Sequence, residues 1–176
     1  MDTEYIKKQL RVVPDFPKKG VMFRDITTLF KDPKALQILE DELYETYKDK
    51  GITKVVGIES RGFILGAALA IRLGAGFVLC RKPGKLPAET VSETYDKEYG
   101  TDTIEIHKDA LNENDVILIH DDLLATGGTA IAAMRLCEKF NPKNIYLSFL
   151  IELENEGLNG RENIGNQYEI YSLIKC

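Results

Sequence analysis

Val116–Thr129, reading VILIHDDLLATGGT, constrains this chain more than any other stretch. Val116, Ile117, Leu118 and Ile119 form a short apolar run, β-branched at three positions and without polar alternation. Such a run reads as a central parallel strand covered on both faces. His120, Asp121 and Asp122 follow at its carboxyl end, the edge at which open α/β sheets bind ligands. Ala125, Thr126, Gly127, Gly128 and Thr129 carry too little side chain to build a core, yet they lead into the helical spacing Ile131, Met134, Cys137, Phe140. Small residues at the start of a helix let an anion reach outward-pointing backbone N–H groups, so a phosphate fits there. Two adjacent carboxylates repel each other unless something compensates, and vicinal ribose hydroxyls or a magnesium ion carried by a phosphate would do so. The plainer alternative is a flexible strand-to-helix turn with a solvated acidic pair. Other nucleotide fingerprints fail: Gly57 and Gly62 have P-loop spacing but Phe63 stands where lysine is required, and Gly74-Ala75-Gly76 lacks its third glycine.

Bulk properties narrow the partner. At 176 residues and 44% hydrophobic, the chain suits one domain with a sizeable core. A net charge of −5 argues against an extended nucleic-acid surface while leaving room for a local basic cluster that holds phosphates. Cys80, Cys137 and Cys176 are odd in number and lack CxxC spacing, so they suggest neither a disulfide framework nor a zinc site. The longest apolar run, Phe63–Ile71, is too short to span a bilayer, and the polar N-terminus does not read as a signal peptide. The expectation is a cytoplasmic protein with a small partner, no nucleic acid and no membrane.

Along the chain, Met1–Val13 predicts a short helix ended by Pro14. Asp15–Gly20 is turn chemistry, and the apolar Val21–Phe23 precedes Arg24 and Asp25, which by composition pair on the surface. Asp32-Pro33 is an N-cap with proline at the first helical position, and Leu36, Leu39, Leu43 and Tyr47 make one stripe closed by Gly51. Lys54–Ile58 predicts a strand ending in Glu59-Ser60-Arg61-Gly62 before a helix over Phe63–Arg72. Phe77–Cys80 predicts a third strand, followed by three cations in five residues, Arg81, Lys82 and Lys85. Leu86–Thr101 reads as a long exposed loop or as a hairpin with Tyr95 and Tyr99 alternating, Thr103–Ile106 being the returning strand. Asn144–Leu150 is another strand, Asn155–Asn166 is polar and irregular, and Tyr168–Ile174 predicts a final edge strand. The alternation of strands and helices argues for an α/β fold, a mainly parallel central sheet flanked by helices.

The DDLLATGGT stretch resembles the phosphoribosyl-diphosphate (PRPP) motif of type I phosphoribosyltransferases, in the wording of the adenine-using branch. That resemblance implies the type I fold in a single domain of residues 1–176, with a small N-terminal hood over roughly 1–30 and a mobile lid loop over roughly 82–102. It implies the reaction of adenine with PRPP to give AMP and diphosphate, in purine salvage. Asp121 and Asp122 would hold the ribose hydroxyls, and Ala125, Thr126, Gly127, Gly128 and Thr129 would wrap the 5′-phosphate. His120 departs from the family, which usually has an apolar residue there, and reads as a buried strand-end histidine. The segment DFPKKGVMFRDIT is similar to the family's hood pattern FPxPGVxFRDI except for Lys19. By position, backbone groups of Met22 and Arg24 would read adenine, with Phe23 against the ring. ESRG resembles the diphosphate loop, giving Ser60 and Arg61 the leaving group. RKPGKLP resembles a segment that implies the same role for Arg81, Lys82 and Lys85. The lid would bring Glu98 to the adenine imidazole and Tyr99 over the pocket. Mg²⁺ would arrive on the substrate, reaching Asp121 or Asp122 through water if at all, and a homodimer is implied. Two rivals stay in view: a non-catalytic PRPP sensor, which needs an output module, and a 6-oxopurine enzyme, which would differ in the Val21–Asp25 hood.

Overall fold

Five β-rich apolar runs assemble into one parallel sheet, and their order places the site. The computed structural model describes residues 2–96, 100–154 and 157–176. The elements are α1 (Thr3–Gln9), β1 (Arg11–Pro14), β2 (Met22–Asp25), α2 (Thr27–Phe30), α3 (Pro33–Tyr47), β3 (Lys54–Ile58), α4 (Gly62–Leu73) and β4 (Gly76–Cys80). After them come β5 (Thr90–Asp96), β6 (Thr101–His107), β7 (Val116–Leu124), α5 (Gly128–Glu138), β8 (Asn144–Glu152), α6 (Gly160–Ile164) and β9 (Glu169–Lys175).

The main sheet runs β4-β3-β7-β8-β9 with every pairing parallel. Chain direction across it reverses between β3 and β7, since the segment after β3 goes outward to β4 and the segment after β7 goes the other way. The carboxyl ends of β3 and β7 therefore flank the topological switch point, where such sheets open a crevice. Alternation along the strands supplies two cores. Val55 and Leu118 pack with α1, α3 and α4, whereas Val56, Ile117 and Ile119 pack with α5 and with Ile104 and Ile106 of β6. Each face is sealed, as a parallel sheet requires.

Two small antiparallel pairs stand apart from the sheet. β1 pairs with β2 to make the hood, and β5 pairs with β6 from Thr90↔His107 to Asp96↔Thr101. The helix predicted over Met1–Val13 stops at Gln9, because β-branched Val12 and Val13 ahead of Pro14 favour extension and find β2 as a partner. Gly51 likewise sits beyond the end of its helix: α3 stops at Tyr47, and Gly51 takes its positive φ of 66° in the turn that follows. Within Leu86–Thr101, Thr90–Asp96 forms β5 and pairs antiparallel with β6, and α6 forms inside the stretch that reads as irregular.

Candidate active site

The two helices that start at the switch point are built differently from α1 and α3. In α3, Asp32 caps the first turn, its carboxylate accepting from the Ala35 N–H at 2.9 Å, and Asp2 does the same for α1 through Tyr5 at 3.1 Å. Among the described residues, no side chain caps α4 or α5. Helix N-termini leave several N–H groups without intrahelical partners, and with the helix dipole these favour an anion.

Glycines let the chain close up around these starts. A Cβ on Gly62 would lie 2.5 Å from the His120 carbonyl oxygen, so only glycine lets α4 begin against β7. Gly127 carries a φ of 82° and introduces α5. The loop before it rests on α6: a Cβ on Gly160 would lie 2.2 Å from the Ala125 carbonyl oxygen, and Asn163 Nδ2 donates to the Thr126 carbonyl at 2.9 Å. Neither Gly160 nor Asn163 belongs to a motif, and only their place after β8 reveals this support. The loop from Ala125 to Thr129 lines a cavity of about 90 Å³.

Beside it lies a larger cavity of about 390 Å³, lined by Ser60, Arg61, Lys82, Asp121, Asp122 and Thr129 among others. The structure thus brings together residues from four separate segments of the chain. Asp121 and Asp122 lie inside β7, which runs on to Leu124 rather than ending at Ile119. Burial pushes the Asp121 carboxyl well above the usual carboxylate range, the neighbouring Asp122 charge adds to this, and Arg61 works against it. Asp122 is itself buried and receives Arg61 Nε at 2.8 Å. Arg61 therefore does not pair with Glu59. That carboxylate instead accepts from Arg81 Nε at 3.1 Å and from the Lys82 N–H at 2.9 Å, and although its burial works the other way these bonds hold its pKa below normal. Arg81 is thus oriented by Glu59 at the cavity's edge, while Lys85 remains exposed and its carbonyl accepts from Arg81 at 3.3 Å.

The hood faces the same crevice. The Arg61 guanidinium carbon lies 5.8 Å from the centre of the Phe23 ring, and Phe16 packs edge-on against that ring at 5.0 Å. Met22 and Arg24 are two apart in β2, so the Met22 C=O and the Arg24 N–H turn to the same edge of the strand. Arg24 does not pair with Asp25. Its Nη1 donates to the Met22 carbonyl at 2.7 Å, and Asp25 pairs with Arg11. Glu98 and Tyr99 lie outside the described residues.

Two readings from composition hold. His120 is fully buried, its Nδ1 3.2 Å from Ser148 Oγ, and burial lowers its pKa to about 4. Cys80 is buried too, its thiol pushed up to about 12 by desolvation first and then by Asp121 and Glu59.

Residues 25–166 match a family model described as the phosphoribosyl transferase domain. The chain is 63% identical over 174 residues to an adenine phosphoribosyltransferase of Phocaeicola vulgatus, covering 99% of both chains. A Bacteroides thetaiotaomicron adenine phosphoribosyltransferase is 60% identical, covering 99% of this chain and 98% of the other. Among solved structures, the adenine phosphoribosyltransferase of Thermoanaerobacter pseudethanolicus superposes with a TM-score of 0.93 at 48% identity, covering 99% of each chain. The Giardia lamblia enzyme, complexed with 9-deazaadenine, gives 0.93 at 46% identity and covers 100% of this chain and 98% of that one. With a parallel sheet of the type I phosphoribosyltransferase fold and relatives this near along its whole length, the chain belongs to the adenine phosphoribosyltransferase family.

Proposed function

We propose that the crevice between β3 and β7 carries out the family's purine-salvage reaction, adenine plus PRPP giving AMP plus diphosphate, with the division of labour that follows. The observation that carries it is the meeting of Asp121, Asp122 and Arg61 with two uncapped helix starts at the switch point.

The reaction breaks the C1′–O bond while positive charge builds on the ribose. Asp121 and Asp122 accept hydrogen bonds from the ribose hydroxyls, and the N–H groups from Ala125 to Thr129 hold the 5′-phosphate. Remote binding then becomes orientation at C1′. Ser60, Arg61, Arg81, Lys82 and Lys85 take the charge of the departing diphosphate. Mg²⁺ on the substrate would add to that neutralisation, and the carboxylate oxygens of Asp121 and Asp122 are donors of the hard type it prefers.

Adenine enters against Phe23, its N6 amino group donating to the Met22 carbonyl and its N1 accepting from the Arg24 N–H. A 6-oxopurine presents the reverse order and leaves both backbone groups unpaired. Adenine N9 attacks C1′, and Glu98 takes a proton or steadies charge on the imidazole ring. Tyr99 and the lid keep water from the developing cation. A homodimer working in the cytoplasm completes the reading, supported by the family likeness.

Asp121→Asn combined with Asp122→Asn tests the assignment. PRPP affinity measured by calorimetry is expected to fall steeply with the fold intact, and unchanged affinity would overturn it. Diphosphate release from a panel of adenine, hypoxanthine, guanine, xanthine and orotate tests the hood, with adenine alone expected to react efficiently.

A further inference from the structure

The β5–β6 hairpin does more than stand near the crevice. Its Asp102 carboxylate is held at one oxygen by the Thr103 N–H at 2.9 Å, while the other oxygen meets both Lys82 Nζ and the Tyr95 hydroxyl, the latter at 3.4 Å. Tyr95 in turn accepts from Thr129 Oγ1 at 3.0 Å. The donors converge on Asp102: Thr129 donates to Tyr95, Tyr95 to Asp102, and Lys82 to the same Asp102 oxygen from the other side. On the reading above, Lys82 serves the diphosphate and Thr129 the 5′-phosphate. A single run of four side chains therefore spans both phosphate subsites and passes through the hairpin. β5 is also tied to α5 elsewhere, where Lys139 Nζ meets Ser92 O at 2.6 Å and Glu93 Oε2 at 2.7 Å.

We propose that Asp102 and Tyr95 are positioning residues that couple the two phosphate subsites, each ligand taking one end of the Lys82–Asp102–Tyr95–Thr129 run away from the hairpin. The inference rests on the subsite assignment under Proposed function. A diphosphate that recruits Lys82 must draw it from Asp102, and a 5′-phosphate that recruits the Thr129 hydroxyl must draw it from Tyr95. Lys82 and Tyr95 compete for one carboxylate oxygen, so loss of Lys82 strengthens the Tyr95 bond and, through it, the Thr129 bond. The second ligand then displaces a stronger contact, and by linkage the penalty is the same whichever arrives first. Direct repulsion between the two anions adds to this, but it is a property of the ligands and is common to all variants.

The experiment titrates the whole protein with ribose 5-phosphate by calorimetry, with and without saturating magnesium diphosphate, and takes the ratio of the two affinities. Tyr95→Phe keeps the ring and Asp102→Asn keeps the shape, so each removes a link with little change in packing. The affinity with diphosphate divided by the affinity without it is expected to rise about fivefold in either variant relative to the unaltered chain, and no further in the double variant. A ratio that stays the same or falls in both single variants overturns the coupling, and so does a double variant whose rise is the sum of the two. Thr129→Ala and Lys82→Ala separate the underlying reading: the first is expected to weaken ribose 5-phosphate, the second diphosphate. If either leaves its own ligand unaffected, the subsites are wrong and the coupling falls with them.

Discussion

α3 and α5 are both amphipathic helices packed on the same parallel sheet, yet one is finished and the other is left open. α3 closes its first turn with Asp32, whose carboxylate accepts from the Ala35 N–H, and turns Leu39, Leu43 and Tyr47 inward. α5 begins at Gly127 with no capping side chain, on a loop of small residues held from behind by Gly160 and Asn163. The same division runs through adjacent residues of β7. His120 and Asp121 are both pushed toward neutrality by burial, but His120 faces packing, where neutrality stabilises, and Asp121 faces the cavity, where a ligand can restore the charge. Polarity left open toward a cavity is thus a place where a ligand contributes, whereas polarity closed into packing is scaffold.

That contrast breaks first at the loop's support. Gly160→Ala puts a Cβ within 2.2 Å of the Ala125 carbonyl oxygen. Moving that loop by even part of an ångström is expected to weaken ribose 5-phosphate binding by about a hundredfold. Calorimetry beside circular dichroism separates lost binding from lost fold.

The packing side predicts a pH effect on stability. His120 titrates near 4 when folded and near 6.5 when unfolded, so the unfolded chain binds more protons between those values. Its contribution is fully present above pH 6.5 and is lost as pH falls toward 4, amounting to about 2 kcal/mol by pH 5. Urea unfolding at pH 7 and pH 5 measures it. His120→Leu is expected to flatten that part of the profile, and identical slopes would count against it.

Asp121 predicts an effect on binding of the opposite kind. Ribose hydroxyls favour its ionised form, so ribose 5-phosphate affinity is expected to rise with pH below the raised pKa, by up to about tenfold per unit. Asp121→Asn should remove this rise, leaving only the pH dependence of the phosphate itself. The smallest effect belongs to Asp32→Ala, which is expected to cost about 1 kcal/mol of stability and to leave affinity unchanged. A change in affinity there would show that scaffold and site are less separable than their polar groups suggest.

Much of this was legible from the residues alone, and the limits have physical causes. The parallel strands announce themselves as unbroken apolar runs, and Asp32-Pro33 marks a helix start through purely local chemistry. Asp121 and Asp122 could be placed on the ligand edge because a carboxylate pair next to a buried strand is costly without a partner. The strand β1 was hidden, since Arg11–Pro14 finds its partner strand eight to fourteen residues further along the chain. Ion pairs were the least legible of all. Glu59 selects Arg81 from the next loop and leaves Arg61 to Asp122, a choice made by tertiary distances. Tyr95, Asp102, Gly160 and Asn163 carry no local signal for their positions at the site, because each acts through a contact made across the fold.

The carbonyl of Ala125 rests on a glycine thirty-five positions later in the chain, in a stretch that contains no recognisable signature. During synthesis the Ala125–Thr129 loop therefore cannot take its final shape until the ribosome has delivered the segment beyond β8, although every signature residue is already out. An amputated chain ending at Leu153 would retain all the described signature residues and lack the keystone behind them.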